Sequence, residues 1–178
     1  MASLLPVALS GHPADRLAAL FEAHHQRLYR LARRLAPNAD DALDLVQETF
    51  LKAARSPASV PAGGTGEEAW LVRVLVNIRR DQWRKAAVRE RHDRDMTRSS
   101  VVENTQEAAL MARTTVWRAL NALPPRRRAV IVMHELEELA IPAIATLLGI
   151  SAVTVRWHLS RGRRDLARVL RPQMGDTQ

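Results

Sequence analysis

The sequence contains no cysteine, which excludes disulfide bonds, thiol catalysis and cysteine-ligated zinc. Aromatic residues make up only 4% of the chain. No apolar run approaches the roughly 20 residues that a membrane-spanning helix needs. Residues 1–7 include a few apolar residues but lack the basic segment and the longer apolar segment of a secretory signal peptide. From these absences we expect a cytoplasmic protein without membrane insertion.

The common catalytic motifs are also missing. No glycine-rich phosphate loop follows a strand, and neither an HExxH spacing nor a Ser/His/Asp set is present. The adjacent His24 and His25 would point about 100° apart on a helix and chelate a metal poorly, so we expect packed or rim histidines. The sequence therefore predicts neither an enzyme nor a site for a cofactor, a metal or a small-molecule substrate.

Positive charge is abundant. The 178 residues carry a formal net charge of +8, and the sequence pI is about 11.3. Such a charge favours a polyanionic partner, either nucleic acid or an anionic membrane surface. The charge alone leaves open a basic protein with no such partner. Apolar residues recur at helical spacing rather than alternating, which predicts an all-α fold.

Residues 141–168 have the pattern of a helix-turn-helix unit. Pro142 suits the first turn of a helix. Gly149 fits the left-handed position after its end, and Ser151 can cap a second helix from Ala152. The second helix would turn one side inward and an opposite side outward. The inward set is Val155, Leu159, Gly162, Leu166 and Val169; the outward set is Trp157, Ser160, Arg161, Arg164 and Arg168, with Arg156 on its flank.

Other helices are predicted from Asp15 to the Pro37-Asn38 break and over 40–54, 69–85, 107–123 and 126–138. Between them, 55–68 is rich in proline, glycine and small polar residues and is predicted to be a loop. Residues 86–106 are charged and lack an apolar stripe, so we expect a flexible linker, which continues the preceding helix for at most a turn or two.

The helix over 40–54 carries a candidate docking surface. Leu43, Val46, Phe50 and Ala54 are predicted to form its inner face. The outward residues would then include a leucine among carboxylates, which is typical either of a solvated face with one stray apolar residue or of a small protein-docking patch. The outward residues are Asp44, Leu45, Glu48 and Lys52, with Gln47 at the border.

The helix over 69–85 places arginines around Trp83 on its outer side. Such a surface can bind single-stranded nucleic acid, because the arginines follow phosphates and the ring stacks on an unpaired base. Alternatively, Trp83 packs against another helix with the arginines around it. The outer residues are Arg73, Val76, Arg79, Arg80, Trp83 and Arg84; the inner residues are Trp70, Leu71, Val74, Leu75 and Ile78.

Three stretches together resemble the extracytoplasmic-function group of bacterial RNA polymerase sigma factors. They are DALDLVQETFLKA at 41–53, WLVRVLVNIRRDQWR at 70–84, and 123–166, which begins LPPRRRAV and ends LSRGRRDL. The resemblance implies two small helical domains, a region 2 domain at 14–88 and a region 4 domain at 107–171, joined by a linker at 89–106.

The resemblance also implies partners and residue roles. The partners are core RNA polymerase, promoter DNA in double-stranded and melted single-stranded form, and an anti-sigma factor. The segment 126–128 would lie near the polymerase flap and upstream phosphates. The polymerase-binding residues would be Asp44, Leu45, Gln47 and Glu48; the minus-ten residues Asn77, Arg80, Asp81, Trp83 and Arg84; and the minus-thirty-five residues Arg156, Trp157, His158, Ser160, Arg161 and Arg164.

Several positions depart from the family pattern. Leu43 and Ala143 stand where acidic residues are usual, and Trp157-His158 replaces smaller or basic residues. The loop at 56–68, which in the family captures a flipped base, lacks the common aromatic residue. The alternative is a stand-alone helix-turn-helix regulator, dimeric and reading a palindrome. That alternative leaves the 41–53 patch and the Trp83 cluster without a function.

Overall fold

The computed structural model describes residues 13–94 and 108–170, which fold into helices without a strand. The all-α prediction is confirmed. The helices are α1 (Pro13–Leu35), α2 (Ala39–Arg55), α3 (Gly64–Arg94), α4 (Ala108–Ala122), α5 (Pro125–Ile131), α6 (Ile141–Leu148) and α7 (Ala152–Leu170), with a 3-10 turn at Pro57–Ser59 and a π turn at Val132–Leu136.

Helices α1, α2 and α3 pack together as an N-terminal group. The leucine stripe of α1 is largely buried against the other two helices. After α1, the side chain of Asn38 caps α2 by accepting a hydrogen bond from the Asp41 backbone N–H at 2.8 Å. This cap fixes where α2 begins and therefore which of its residues face inward. The buried leucines of α1 are Leu20, Leu28, Leu31 and Leu35.

Helices α4, α5 and α6 pack against α7 as a C-terminal group. The predicted helix-turn-helix signals are confirmed. Gly149 ends α6 in the left-handed region at φ +62°, and the Ser151 hydroxyl accepts the Thr154 N–H at 3.1 Å. A Cβ atom on Gly162 would lie 2.7 Å from Ile131 Cγ1. Glycine at this position therefore lets α7 approach α5 closely.

The predicted loop over 55–68 is wrong in its second half, because α3 begins at Gly64. Glu67 and Glu68 in its first turns pair with His24 and Arg27 of α1, and acidic groups near a helix N-terminus are favourable. At its other end α3 continues to Arg94. The predicted linker at 89–106 therefore begins within a helix, and its residues from 95 onward lie outside the described residues.

The helix predicted over 126–138 is interrupted. After α5, the chain widens into the π turn, where the Glu137 N–H donates to the Val132 carbonyl at 3.1 Å. The extra residue in this turn rotates the end of the segment relative to a regular α-helix. Leu136, predicted to face inward, is consequently half exposed.

The two groups of helices contact each other. Helix α3 packs against α5 and α6, and α1 contacts α5. Val76, predicted on the outer side of α3, is only 2% exposed. In the part of the chain that the structure describes, no single helix is long and apolar enough to cross a membrane; α6 and α7, bent by 105°, meet that criterion only as a pair.

Candidate partner and nucleic-acid interfaces

The exposed side of α2 carries three of the four residues predicted to bind the polymerase. Asp44, Gln47 and Glu48 are exposed. Leu45 is fully buried, so its assignment to an outward patch is wrong. Its backbone carbonyl accepts the hydroxyl of buried Thr49 at 2.7 Å. The true inner face of α2 is rotated from the predicted one and consists of Ala42, Leu45, Val46, Thr49, Phe50 and Ala53.

The rotation of α2 exposes other apolar side chains beside the carboxylates. Leu43 and Leu51 are 47% and 51% exposed, and Phe21 of α1 is 45% exposed. Two adjoining apolar hollows form a groove between α1 and α2: Leu43 lines one, Leu51 lines the other, and Phe21 and Gln47 line both. Sequence reasoning missed this groove. The available signal was the i, i+4, i+8 spacing of Leu43, Gln47 and Leu51, which places them on one helical stripe.

The residues predicted to contact the minus-ten element lie on the middle of α3. Asp81 and Arg84 are exposed, whereas Asn77, Arg80 and Trp83 are half-buried. Arg80 Nη2 lies 3.5 Å from Asp81 Oδ1. Asp81 and Arg84 line a shallow hollow with Lys85 and Val88. The five predicted residues therefore lie close together along about two turns of one helix.

Two side chains on this helix are engaged by other elements. Arg126 Nη2 of α5 donates to Asn77 Oδ1 at 3.4 Å. Arg79 Nε donates to the Leu35 carbonyl at 3.1 Å, and burial lowers the pKa of Arg79 although Asp41 opposes the shift. Arg79 thus fixes α3 to the end of α1 and is less available for phosphates than the sequence suggests.

On α7 the predicted reading face is exposed as a unit. Trp157 is 53% exposed, and Arg156, Ser160, Arg161 and Arg164 are exposed around it. The structure adds a residue that sequence reasoning missed, Val153, which is 70% exposed. Val153 precedes Trp157 by four residues and therefore lies on the same side of the helix.

Helix α5 supports this face through Arg127. The Arg127 guanidinium carbon lies 5.7 Å from the centre of the Trp157 ring. Its Nη1 atom lies 2.5 Å from Asp165 Oδ2, and both side chains are less than one-fifth exposed. Arg127 is therefore held by a carboxylate on α7 and stacks on the tryptophan at once, which restrains the ring.

His158 is set apart from the other predicted minus-thirty-five residues. It is half-buried, its ring meets that of Trp157 edge-on, and its Nδ1 atom has no partner among the described residues. Burial lowers the pKa of His158 below its usual 6.5, and the nearby Arg127 and Arg126 lower it further. These effects favour the neutral form of the His158 imidazole, which lies at the edge of the reading face.

Two family models match the amino-acid sequence of this chain. Residues 20–89 match the model of sigma-70 region 2, and residues 113–166 match that of sigma-70 region 4. The first covers the α2 surface and the minus-ten candidates on α3. The second covers the helix-turn-helix and its supporting helices.

Characterised relatives span most of the chain. The ECF RNA polymerase sigma factor SigM of Mycobacterium tuberculosis is 33% identical over 91% of this chain and 82% of its own length. SigE of Mycolicibacterium smegmatis, also named an ECF RNA polymerase sigma factor, is 34% identical over 89% of this chain. The alignment spans 63% of the length of that relative.

Solved structures of similar fold include two protein–protein complexes. The sigma factor RpoE from Bartonella quintana, in complex with the anti-sigma factor NepR, matches with a TM-score of 0.58 and 25% identity, covering 88% of this chain and 95% of its own. CnrH, in complex with the cytosolic domain of CnrY, matches with a TM-score of 0.56 and 26% identity, covering 90% of both chains.

Proposed function

Because this chain belongs to the extracytoplasmic-function group of RNA polymerase sigma factors, we propose that it binds core RNA polymerase and directs it to a promoter. It supplies recognition and strand opening and has no catalysis of its own, because the polymerase performs the chemistry. Its action then takes place in the cytoplasm, where polymerase and chromosomal promoters meet.

The proposed polymerase-binding surface is the exposed side of α2. Asp44, Gln47 and Glu48 provide a polar rim, and the groove lined by Leu43 and Leu51 provides apolar area. An apolar centre with a charged rim is typical of protein–protein interfaces. This combination is the observation that carries the proposed function; in a stand-alone regulator the same surface would serve dimerisation, and binding to core polymerase distinguishes the two.

The chain has two proposed promoter-binding surfaces. Asn77, Arg80, Asp81, Trp83 and Arg84 on α3 engage the minus-ten element, where arginines can follow the phosphates and the Trp83 ring can stack on an unpaired base. Flipping a base out of the stack costs a few kcal/mol, which such stacking offsets.

The second surface reads the minus-thirty-five element in the major groove. Val153 and Trp157 offer apolar contact to thymine methyl groups, and arginines on the same face can bond guanine edges or phosphates. The residues are Arg156, Trp157, Ser160, Arg161 and Arg164, with His158 at the edge.

We further propose an anti-sigma factor as the regulatory partner. One similar structure, RpoE with the anti-sigma factor NepR, is a complex of this kind. Residues 63–66 (Gly-Gly-Thr-Gly) and the 3-10 turn before them correspond to the loop with which the family captures a flipped base. Because this loop lacks the common aromatic residue, we expect it to prefer a different base from other family members.

The experiment is a charge reversal on α2. We expect Glu48→Lys to weaken binding to purified core RNA polymerase by about tenfold, equivalent to about 1.4 kcal/mol, because it replaces a negative charge of the proposed rim by a positive one. The measurement is fluorescence anisotropy of the labelled chain titrated with core polymerase.

Glu138→Lys is the matched control, because Glu138 is exposed in the C-terminal group, far in sequence from α2. It makes the same charge change and should leave the affinity unaltered. If the Glu48→Lys variant binds core polymerase with the same affinity as the wild type, α2 is not part of the interface.

A further inference from the structure

Arg127 of α5 touches the recognition helix α7 at three points. A Cβ atom on Gly162 would lie 3.2 Å from Arg127 Cγ, so the aliphatic part of the arginine runs directly against α7. Its Nη1 atom lies 2.5 Å from Asp165 Oδ2, and its guanidinium carbon lies 5.7 Å from the centre of the Trp157 ring. Arg127 therefore joins α5 to the tryptophan of the reading face.

The positive charge of Arg127 is already compensated within the protein. Arg127 and Asp165 are both less than one-fifth exposed, and salt screens a partly buried ion pair much less than an exposed one. The arginines of the reading face are exposed on α7 and are available to phosphates and base edges. The place of Arg127 beneath this face indicates a different task.

The Trp157 ring is restrained although half of it is exposed. Exposed side chains ordinarily change rotamer freely. Here the Arg127 guanidinium lies over the ring, and the centre of the His158 ring lies 4.9 Å from it at an interplanar angle of 69°. A side chain that is ordered beforehand loses little freedom on binding, so more of its contact energy appears as affinity.

The free part of the tryptophan continues an apolar surface that begins at Val153, one helical turn earlier. In the major groove of a duplex, the bases present their edges, and the apolar group on those edges is the 5-methyl group of thymine. A fixed apolar surface on a helix in that groove is therefore suited to a thymine methyl group.

We propose that Arg127 is a positioning residue that gives this chain one of its base preferences: it holds the Trp157 ring beside Val153 and so selects thymine at one position of the minus-thirty-five element. The inference rests on the proposed function, which places α7 in the major groove. Asp165 keeps the guanidinium on the ring, and Arg127 acts on DNA through the tryptophan.

The test measures recognition of a single methyl group. Duplexes with the minus-thirty-five element of a promoter that the holoenzyme transcribes are prepared with deoxyuridine in place of each thymine in turn, which removes only the 5-methyl group. Competition anisotropy with the holoenzyme gives the ratio of the affinities for thymine and uracil. Because both affinities come from one protein preparation, any loss of folded protein cancels from this ratio.

Two variants separate positioning from general electrostatics. Arg127→Gln removes a positive charge and Asp165→Asn removes a negative one, so an effect of charge alone would shift DNA affinity in opposite directions. Positioning predicts that both variants lower the ratio. Arg163→Gln is the matched control, because it removes the same charge from α7 at a guanidinium that is paired with Glu135 at 2.7 Å instead.

We expect the wild type and the control to prefer thymine to uracil about fourfold at one position, the size expected for burying one methyl group. Arg127→Gln and Asp165→Asn should each abolish most of this preference. In a Trp157→Ala chain, Arg127→Gln should have no further effect on the ratio. A preference that survives in Arg127→Gln overturns the inference, and so does a wild type that binds thymine and uracil equally at every position.

The proposed function fails separately. If the wild-type chain with core polymerase transcribes no promoter, the sigma-factor role is wrong. If transcription is normal and the thymine preference is absent or independent of Arg127, only the positioning role is wrong.

Discussion

At the scale of single residues, α2 shows a case in which the spacing of apolar residues does not determine which face of a helix is buried. The apolar side chains of α2 extend beyond its buried face to the exposed Leu43 and Leu51, so the stripe of Leu43, Val46 and Phe50 fits helical spacing as well as the true one does. The polar Thr49 helps to decide the phase, because it is buried by bonding to the Leu45 carbonyl. A polar residue in the core is invisible to a pattern of apolar positions.

The exchange of roles between two leucines makes a direct prediction. We expect Leu45→Ala to lower the free energy of unfolding by about 2–5 kcal/mol, because it removes a fully buried side chain and leaves a cavity. Leu43→Ala, at a half-exposed position on the same helix, should cost less than about 1 kcal/mol. Urea denaturation followed by circular dichroism measures both losses. A larger loss for Leu43→Ala than for Leu45→Ala would support the orientation of α2 that the sequence predicted.

At the scale of elements, the sequence predicted the features that local interactions decide. The caps at Gly149 and Ser151 and the buried positions Val155, Leu159 and Gly162 of α7 depend on residues a few positions apart. Val169, also predicted to face inward, is 42% exposed near the end of the helix.

The start of α3 at Gly64 does not depend on such local interactions, because glycine disfavours helix and the compensating contacts, with His24 and Arg27, come from α1. Likewise Arg127 reaches Trp157 from 30 positions earlier in the chain.

The recognition helix α7 carries its own prediction. We expect Arg161→Ala to weaken binding of the holoenzyme to its upstream promoter element by about 1–3 kcal/mol, with relaxed preference at one base pair, because Arg161 is exposed on the reading face. Competition binding with single-base variants of the element measures this.

Arg163→Ala is the control for Arg161, because it removes the same charge from α7 at a side chain already paired with Glu135 at 2.7 Å. It should weaken binding less and without a change in base preference. Loss of affinity that is equal on all sequences for Arg161→Ala would identify a phosphate contact instead of base reading.

At the scale of the whole molecule, the sequence predicted helical halves with separate tasks but not their contact. The buried Val76 lies on a face of α3 that is otherwise rich in arginine, and a valine surrounded by arginines is expected to face solvent. Val76 is covered only because α5 and α6, which begin more than 30 residues later in the sequence, pack against α3. Contacts of this kind depend on tertiary packing rather than on local pattern.

The central claim is that the whole chain turns core RNA polymerase into a promoter-specific enzyme. Run-off transcription on a library of genomic fragments, with core polymerase of the same organism, tests it most directly. We predict discrete transcripts that start at a shared pair of elements, that appear only when the chain is added, and that decline with Glu48→Lys. Binding of the chain to DNA without any chain-dependent transcript would contradict the claim.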